Sequence, residues 1–278
     1  MQGDYSFTLK RIKIPLLGLL AIAATLLAIH LTLHLKEEKY AHLALSVAFW
    51  SIAGLVIWNK REQIESECNL FSFCLGGVII AGILFKSLSL PSSNFLGFAP
   101  VIIALGLALV TSGIGGLKNY RRELLILFCL GAPRFVMYNL PDISPLTAGF
   151  SFLVLLSSGF DVAIQNVTIA LPNGAVEVVA ACSGMNLVVY MLGLAVAALA
   201  ISPTTWQQKI ILPIVAAITG FVVNGLRVAL LAVFSSPQHE HAFHFWHSQE
   251  GSLIVVGASI VLFGLLCPLL LTKKKALR

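Results

Sequence analysis

The feature that most constrains this chain is a succession of long apolar runs separated by short polar segments. A membrane-spanning α-helix needs about 20 consecutive, mainly apolar residues, and only helices or closed barrels satisfy their backbone polar groups inside lipid. Of the 278 residues, 58% are hydrophobic and 11% are charged, which is more apolar surface than a soluble domain can bury. The sequence therefore predicts an all-α polytopic membrane protein with about eight transmembrane helices. Their runs lie at about 14–35, 41–58, 70–90, 95–117, 123–140, 184–201, 210–233 and 252–271.

Lysine and arginine residues cluster between these runs, at alternate ends of the predicted helices. Cytoplasmic loops of membrane proteins carry an excess of these residues, so the clusters indicate orientation. With every cluster in the cytoplasm, the eight helices alternate without conflict and both termini are cytoplasmic. The net charge of +6 then reflects orientation, and we expect no nucleic-acid partner. The clusters lie at 10–13, 60–61, 118–122, 209 and 273–275.

A ninth apolar run, "LTAGFSFLVLLSSGF" at about 146–160, is too short to cross the membrane twice. The predicted topology places both ends of residues 141–183 outside the cytoplasm. We therefore expect this run to lie at the outer interface or to dip into the membrane and return. The following segment, "FDVAIQNVTIALPNGAVEVV", alternates polar and apolar residues around Pro172, Asn173 and Gly174, which predicts a short outer β-hairpin with an Asn-Gly turn.

The second strand of that hairpin leads into "VEVVAACSGMNLVVYMLGLA", where Cys182 precedes a long apolar helix. A helix N-terminus or a nearby cation stabilises a thiolate, which makes Cys182 a candidate nucleophile on the outer side. The alternative is a small residue packed at the start of a helix. The other four cysteines form no CxxC pair, so we expect no disulfide framework, no metal site of thiolates and no cofactor.

Arg227 lies inside the otherwise apolar run "FVVNGLRVALLAVF", with Asn224 three residues earlier on the same helix face. A charged side chain inside a membrane is costly unless it faces a wet cavity or a partner, which favours a functional site. The alternative is that Arg227 reaches out to the lipid headgroups.

The segment "SSPQHEHAFHFWHSQEGSLIVV" carries several histidines before the last helix. Histidine is a common metal ligand, but no convincing set of carboxylate ligands accompanies them, so a metal site is the less favoured hypothesis. His247 lies at the membrane edge, where it suits a general base. A role for the other three stays open: His239, His241 and His244.

Cys182, Arg227 and His247 are all predicted at the outer membrane surface. There a thiol and an imidazole can form a nucleophile–base pair, and a guanidinium can stabilise an oxyanion or orient a substrate carbonyl.

These motifs resemble those of the exosortase/archaeosortase family of multi-pass membrane cysteine proteases and transpeptidases. "ACSG", "NGLR" and "HSQEG" occur in the family's order and spacing, and the resemblance covers about residues 120–271. It implies catalytic roles for Cys182, Arg227 and His247. The supporting residues that it implies are Asn224, Glu177, Ser183 and Gly184. Many members have a glutamate two residues before the cysteine, whereas this chain has Ala180 there. The ending "FWHSQEGSLI" most resembles the cyanobacterial branch.

The apolar runs predict one integral membrane domain over 1–278, with N-terminal helices at 1–120 and a catalytic half at 121–278. The resemblance implies that the membrane is a bacterial plasma membrane. Its implied partners are the lipid bilayer and exported proteins that end in a recognition motif, a transmembrane helix and a basic tail. The alternatives are a transporter or channel that uses the intramembrane Arg227, and a structural subunit of an export complex. The recognition motif, the choice between hydrolysis and transpeptidation and the oligomeric state stay open.

Overall fold

The computed structural model describes residues 11–13, 16–64, 67–88, 93–137 and 140–271. Among them are ten α-helices and five short β-strands. The helices are α1 (Leu16–Lys36), α2 (Tyr40–Asn59), α3 (Leu70–Leu88), α4 (Ser93–Gly116), α5 (Arg121–Met137), α6 (Ser144–Ser157), α7 (Met185–Ile201), α8 (Trp206–Val233), α9 (Glu240–His247) and α10 (Gln249–Leu271). The strands are β1 (Arg11–Lys13), β2 (Glu67–Asn69), β3 (Ala163–Gln165), β4 (Thr168–Leu171) and β5 (Gly174–Glu177).

Seven helical segments of the described chain are long and apolar enough to cross a membrane, which confirms the all-α polytopic class. About eight spans were expected, and the difference lies at Phe95–Gly131, where α4, a 3₁₀ turn and α5 follow one another without a break and count as one segment. The chain bends inside it at Gly113, whose φ of 66° is in the left-handed region that glycine tolerates. A 3₁₀ turn at Leu117–Tyr120 then connects α4 to α5, which occupies the predicted fifth run.

The chain divides into two compact units, the first of which contains Met1–Leu33 and Trp50–Phe128. In it, α3 and α4 pack with their backbones in close contact, because a Cβ on Gly76 would lie 2.7 Å from the Gly106 carbonyl oxygen. Lys60, just after α2, forms an ion pair of 2.7 Å with the buried carboxylate of Glu123. This ion pair places the end of α2 and the start of α5 at the same end of the unit.

The second unit contains His34–Phe49 and Cys129–Arg278, and its short helix α6 packs against α8. Fourteen residues give a helix of about 21 Å, which is shorter than the hydrocarbon layer. At its start the side chain of Asp142 accepts hydrogen bonds from the backbone N–H (2.9 Å) and hydroxyl (2.7 Å) of Ser144. These bonds hold the pKa of the Asp142 carboxyl below its usual value. Whether α6 lies at an interface or re-enters the membrane stays a prediction.

The predicted hairpin is present as β4 and β5, and it belongs to a three-stranded antiparallel sheet with the order β3-β4-β5. The turn differs by one residue from the expected Asn-Gly turn. Leu171 pairs with Gly174, so Pro172 and Asn173 occupy the two loop positions. Proline, with φ fixed near −65°, suits the first of these positions. Gly174 is instead the first residue of β5, and a Cβ added to it would collide with Ser235.

One face of this sheet is anchored in the core of the second unit. Ile169 of β4 and Val178, just after β5, are buried and pack with Val228 and Ala232 of α8 and Leu155 of α6. Burial of these side chains fixes the register of the sheet, because a shift of one residue would turn them to solvent. The end of β5 is thereby held in place directly before Cys182.

Candidate active site at the junction of the sheet and two helices

Cys182 ends a 3₁₀ turn, Ala180–Cys182, that connects β5 to α7. Its backbone N–H donates to the Val179 carbonyl at 2.8 Å, and the Ser183 hydroxyl donates to the Ala180 carbonyl at 2.8 Å. Gly184 then reverses the chain direction with φ 85° and caps the N-terminus of α7. The cysteine therefore lies just before the helix, and its side chain is partly exposed.

Two other helices hold the backbone carbonyl groups of this turn. The buried amide of Asn224 on α8 donates to the Cys182 carbonyl at 3.0 Å, and the Thr147 hydroxyl on α6 donates to the Ser183 carbonyl at 2.7 Å. Ser151, one turn along α6, donates to the Gly225 carbonyl at 2.8 Å and ties α6 to α8. Thr147 and Ser151 were not among the predicted site residues, although their spacing of four residues places both hydroxyls on one face of an apolar helix.

The space at Gly184 explains the glycine in "ACSG". An added Cβ would lie 2.5 Å from the Asn224 side-chain nitrogen, and L-residues with side chains are strained at φ 85°. Glycine at this position therefore lets Asn224 reach the Cys182 carbonyl.

Replacing Gly184 with alanine is expected to destabilise the protein by about 2–4 kcal/mol, from the left-handed backbone and the collision with Asn224. Thermal unfolding of the purified protein in detergent measures the effect. Gly257→Ala is the matched control, because a Cβ at Gly257 of α10 has no neighbour within 4 Å and alanine favours helix. Equal unfolding temperatures for the two variants would contradict the role given to Gly184.

His247, the last residue of α9, approaches the cysteine although it lies 65 residues away in the chain. Its Nε2 is 3.8 Å from the Cys182 Sγ, within hydrogen-bonding distance for sulfur. The imidazole stacks on the Phe243 ring one turn earlier, with 5.6 Å between ring centroids and 27° between planes. Among the described residues no carboxylate bonds to the ring, so the aromatic contact and the backbone of α9 set its orientation.

Arg227 holds the C-terminal end of α9. Its Nε donates to the Trp246 carbonyl at 3.0 Å, and its Nη2 donates to the His247 carbonyl at 3.3 Å and the Ser252 hydroxyl at 3.0 Å. Carbonyl groups at a helix C-terminus have no hydrogen-bond donor within the helix, and the N–H groups of a guanidinium can act as those donors. In the part of the chain that the structure describes, no hydrogen bond uses its Nη1.

Gly251, the glycine of "HSQEG", permits a second close contact, between the backbones of α9 and α10. A Cβ on Gly251 would lie 2.6 Å from the carbonyl oxygens of Phe245 and Trp246. The last turn of α9 can therefore fold back against the first turn of α10, which brings the Ser252 hydroxyl to Arg227. The sequence analysis assigned no role to Ser252.

The remaining candidate residues lie outside this cluster of contacts. Glu177 ends β5 with an exposed side chain that makes no hydrogen bond or ion pair to any described residue, and Ala180 begins the 3₁₀ turn. His239 hydrogen-bonds to Ser236, and His244 lies 3.5 Å from Glu240. Within the described ranges no three histidine, cysteine or acidic side chains are grouped as metal ligands would be.

The other described cysteines have different surroundings. Burial raises the pKa of the Cys68 thiol in β2, and Cys129 is buried in α5. Cys74 and Cys267 lie in the apolar helices α3 and α10. The sulfur of Cys182 lies within hydrogen-bonding distance of a histidine ring nitrogen, the Nε2 of His247.

The fold and the site define a polytopic helical membrane protein in which a cysteine before α7 contacts a histidine at the end of α9, and an arginine of α8 bonds to that end of α9. The family model for transmembrane exosortases (Exosortase_EpsH) matches residues 34–264, which is most of the chain. The chain therefore belongs to the transmembrane exosortase family. No curated protein and no solved structure matches it.

Proposed function

We propose that this chain is a membrane-embedded cysteine protease or transpeptidase that cleaves the C-terminal sorting signals of exported proteins. The observation that carries the proposal is the distance of 3.8 Å between the Cys182 Sγ and the His247 Nε2. Two side chains from distant parts of the chain form a nucleophile–base pair, and the backbone carbonyl of each residue accepts a hydrogen bond from α8. Membership of the exosortase family supports the same reaction class.

In the proposed reaction, His247 Nε2 takes the proton of the Cys182 thiol while the sulfur attacks the carbonyl carbon of the scissile peptide bond. The tetrahedral intermediate collapses as the carbon–nitrogen bond breaks, and the imidazolium gives its proton to the leaving amine. The product that stays bound is a thioester on Cys182. Attack by water then gives a free carboxylate, and attack by an amine gives a new amide.

Arg227 and Asn224 support this chemistry in different ways. Arg227 positions His247 through its backbone, and we assign its Nη1 to the developing oxyanion or to the substrate carbonyl. Asn224 positions Cys182 through the backbone carbonyl, in part because Gly184 leaves it room. Ser183 supports the same turn through its bond to Ala180.

The proposed reaction takes place at the outer face of a bacterial plasma membrane. Contacts within the second unit support this side. Gln208, at the start of α8, donates to the Leu270 carbonyl near the end of α10 at 2.9 Å. The start of α8, with Lys209, therefore lies at the same end as the end of α10, after which the sequence continues with three lysines, whereas Arg227 and His247 belong to the other end. Basic residues favour the cytoplasmic side, so the site faces out.

A direct test is alkylation of Cys182 by iodoacetamide at neutral pH, followed by mass spectrometry of the membrane protein. Removing the imidazole in His247→Ala is expected to lower the alkylation rate of Cys182 about tenfold or more, because the base that receives the thiol proton is gone. His244→Ala is the matched control, since His244 lies on the same short helix and contacts Glu240.

The same membranes should cleave a co-expressed reporter that ends in a short motif, a transmembrane helix and a basic tail. The mass of the product distinguishes a free carboxylate from a new amide, and so hydrolysis from transpeptidation. A rate of Cys182 alkylation that is equal in wild type, His247→Ala and His244→Ala would refute the nucleophile–base pair.

A further inference from the structure

One edge of the three-stranded sheet leads directly to the nucleophile. In the order β3-β4-β5, the strand β5 lies at an edge, and among the described residues no further strand pairs with it. From Glu177, the last residue of β5, the chain continues for five residues to Cys182. None of the predicted roles uses this edge.

The pairing of β5 with β4 determines which backbone groups point to the free edge. In an antiparallel pair every second residue exchanges hydrogen bonds with its partner, and the residues between them direct their N–H and C=O groups to the other side. The Val178 N–H donates to the Val167 carbonyl at 2.9 Å. The residues one and three positions before Val178, which are Glu177 and Ala175, therefore direct their backbone groups away from β4.

The free edge of β5 is accessible to another chain. Ala175 and Glu177 are exposed, because their side chains lie on the face opposite to that of Val176 and Val178, which pack in the core. In the described chain the Glu177 carbonyl accepts one hydrogen bond, from the Val179 N–H at 3.2 Å, and a carbonyl oxygen can accept two. Exposed N–H and C=O groups in such a row are a template for pairing with a further strand.

The surface between this edge and the nucleophile is apolar and exposed. Val179 is 47% exposed, and Ala180 and Ala181 are exposed with short side chains. Five extended residues span at most about 17 Å, so the backbone of Cys182 lies within that distance of Glu177. About five residues of an extended peptide are therefore enough to connect the free edge with the reacting sulfur.

The segment that carries the base runs beside the same stretch of chain. Gly174, at the start of β5, lies against Ser235, and the Cys182 sulfur lies 3.8 Å from His247. The chain from Ser235 to His247 therefore begins and ends next to the chain from Gly174 to Cys182, while α9 itself packs on α8 and α10. A peptide that follows β5 toward its C-terminal end arrives at the two reacting groups.

We propose that the free edge of β5 binds the substrate segment that precedes the scissile bond, as an added strand parallel to β5. Strand addition recognises an extended backbone through main-chain hydrogen bonds. The direction follows from chain order, because the scissile bond lies at Cys182 and the preceding segment leads back along β5. That segment is on the exported side of the substrate, whereas the transmembrane helix follows the scissile bond. This inference rests on the proposed function, since it identifies how the same site holds its substrate.

The first experiment uses the full chain in membranes and tail-bearing reporters whose cleaved bond is located by product mass. Each of about eight residues before that bond is replaced in turn by proline, which has no N–H. Only alternate residues of an added strand donate to β5. Proline is therefore expected to slow cleavage about three- to tenfold at positions two residues apart, with little effect at the position between them.

The matching change in the protein is Ala175→Pro, which removes one N–H from the free edge and is expected to slow cleavage about three- to tenfold. A reporter with proline at both sensitive positions should be slowed much less, because its pairing is already lost. Ile164→Pro is the matched control, since Ile169, its partner in β4, bonds to β5 and the Ile164 N–H points to the opposite edge. Alkylation of Cys182 should stay at the wild-type rate in both variants.

Glu177 gives an independent readout of the same contact. Its exposed carboxylate lies on the outer face of β5, beside the side chains of the proposed strand. At one reporter position, lysine is therefore expected to be cleaved about two- to fivefold faster than glutamate, and Glu177→Lys should reverse that preference. Asp161→Lys is the matched control, because it makes the same change of charge at an exposed residue just before β3, at the other edge of the sheet.

The outcomes separate the two proposals. Equal cleavage of all proline reporters, with cleavage that still requires Cys182, would overturn the added strand and leave the proposed function standing. Equal slowing in Ala175→Pro and Ile164→Pro would also overturn it, and so would a changed oligomeric state of Ala175→Pro with unchanged cleavage, which would assign the edge to a second copy. Cleavage that continues in Cys182→Ala would overturn the proposed function itself. An alternating proline pattern that Ala175→Pro weakens would support both.

Discussion

Replacing Cys182 with alanine is expected to abolish processing of a tail-bearing reporter, because the variant has no atom that can form the thioester. The loss should reach the detection limit, at least about 10⁴-fold, as is typical when the nucleophile of a nucleophile–base pair is removed. Cys182→Ser keeps a nucleophilic atom of similar size, but a hydroxyl is far harder to ionise than a thiol. Its rate is expected to fall about 10²–10³-fold or more.

The measurement is the fraction of reporter cleaved per unit of membrane-inserted protein, so that a loss of insertion is not read as a loss of chemistry. Cys74→Ala serves as the control, because Cys74 lies exposed on α3 and contributes to none of the contacts of the site. Processing by Cys182→Ala at the wild-type rate would exclude thioester catalysis and favour a transporter, a channel or a structural subunit.

Local sequence patterns predicted most of the fold. The apolar runs predicted the spanning helices, because lipid imposes helical structure wherever such a run crosses it. The β4–β5 hairpin was also predicted, since period-two alternation around a turn is a local signal. The strand β3 was not, because its three residues are all exposed and show no alternation of burial. The turn lies one residue earlier than the predicted Asn-Gly turn. Gly174 packs against Ser235, a contact between distant residues that the local sequence does not reveal.

The sequence indicated which residues belong to the candidate site, but not which contacts they make. Charge topology placed Cys182, Arg227 and His247 on one side of the membrane, and the structure brings the three together. The hydrogen bonds of Thr147, Ser151 and Ser252 depend on how α6, α8 and α10 pack, which a single sequence does not specify.

Arg227 illustrates this difference. The sequence indicated a costly charge in an apolar helix, and the predicted role was to stabilise an oxyanion or to orient a substrate carbonyl. In the structure its Nε and Nη2 are occupied by the Trp246 and His247 carbonyls and the Ser252 hydroxyl. Arg227 therefore holds the end of α9 that carries His247, and its Nη1 is the atom assigned to the substrate in the proposed reaction.

Arg227→Lys is expected to lower processing about 10²-fold, although the positive charge is kept. Two nitrogens of the planar guanidinium donate three hydrogen bonds, one from Nε and two from Nη2. A lysine ammonium cannot reproduce that geometry. The end of α9 would then be held less firmly, and a displacement of His247 by about 1 Å is enough to cost 10²-fold in rate. Arg227→Ala should lose at least as much, because it removes all three hydrogen bonds together with the positive charge.

Ser252→Ala is the matched comparison, since it removes one of the three acceptors and leaves both backbone carbonyls bound to the guanidinium. Its rate is expected to fall by no more than about tenfold, the value of one hydrogen bond. Alkylation of Cys182 by iodoacetamide adds a second readout, because a displaced His247 slows it in Arg227→Lys even without substrate. Wild-type rates of both processing and alkylation in Arg227→Lys would show that charge alone suffices at this position, and that the fork of hydrogen bonds to α9 has no part in placing the base.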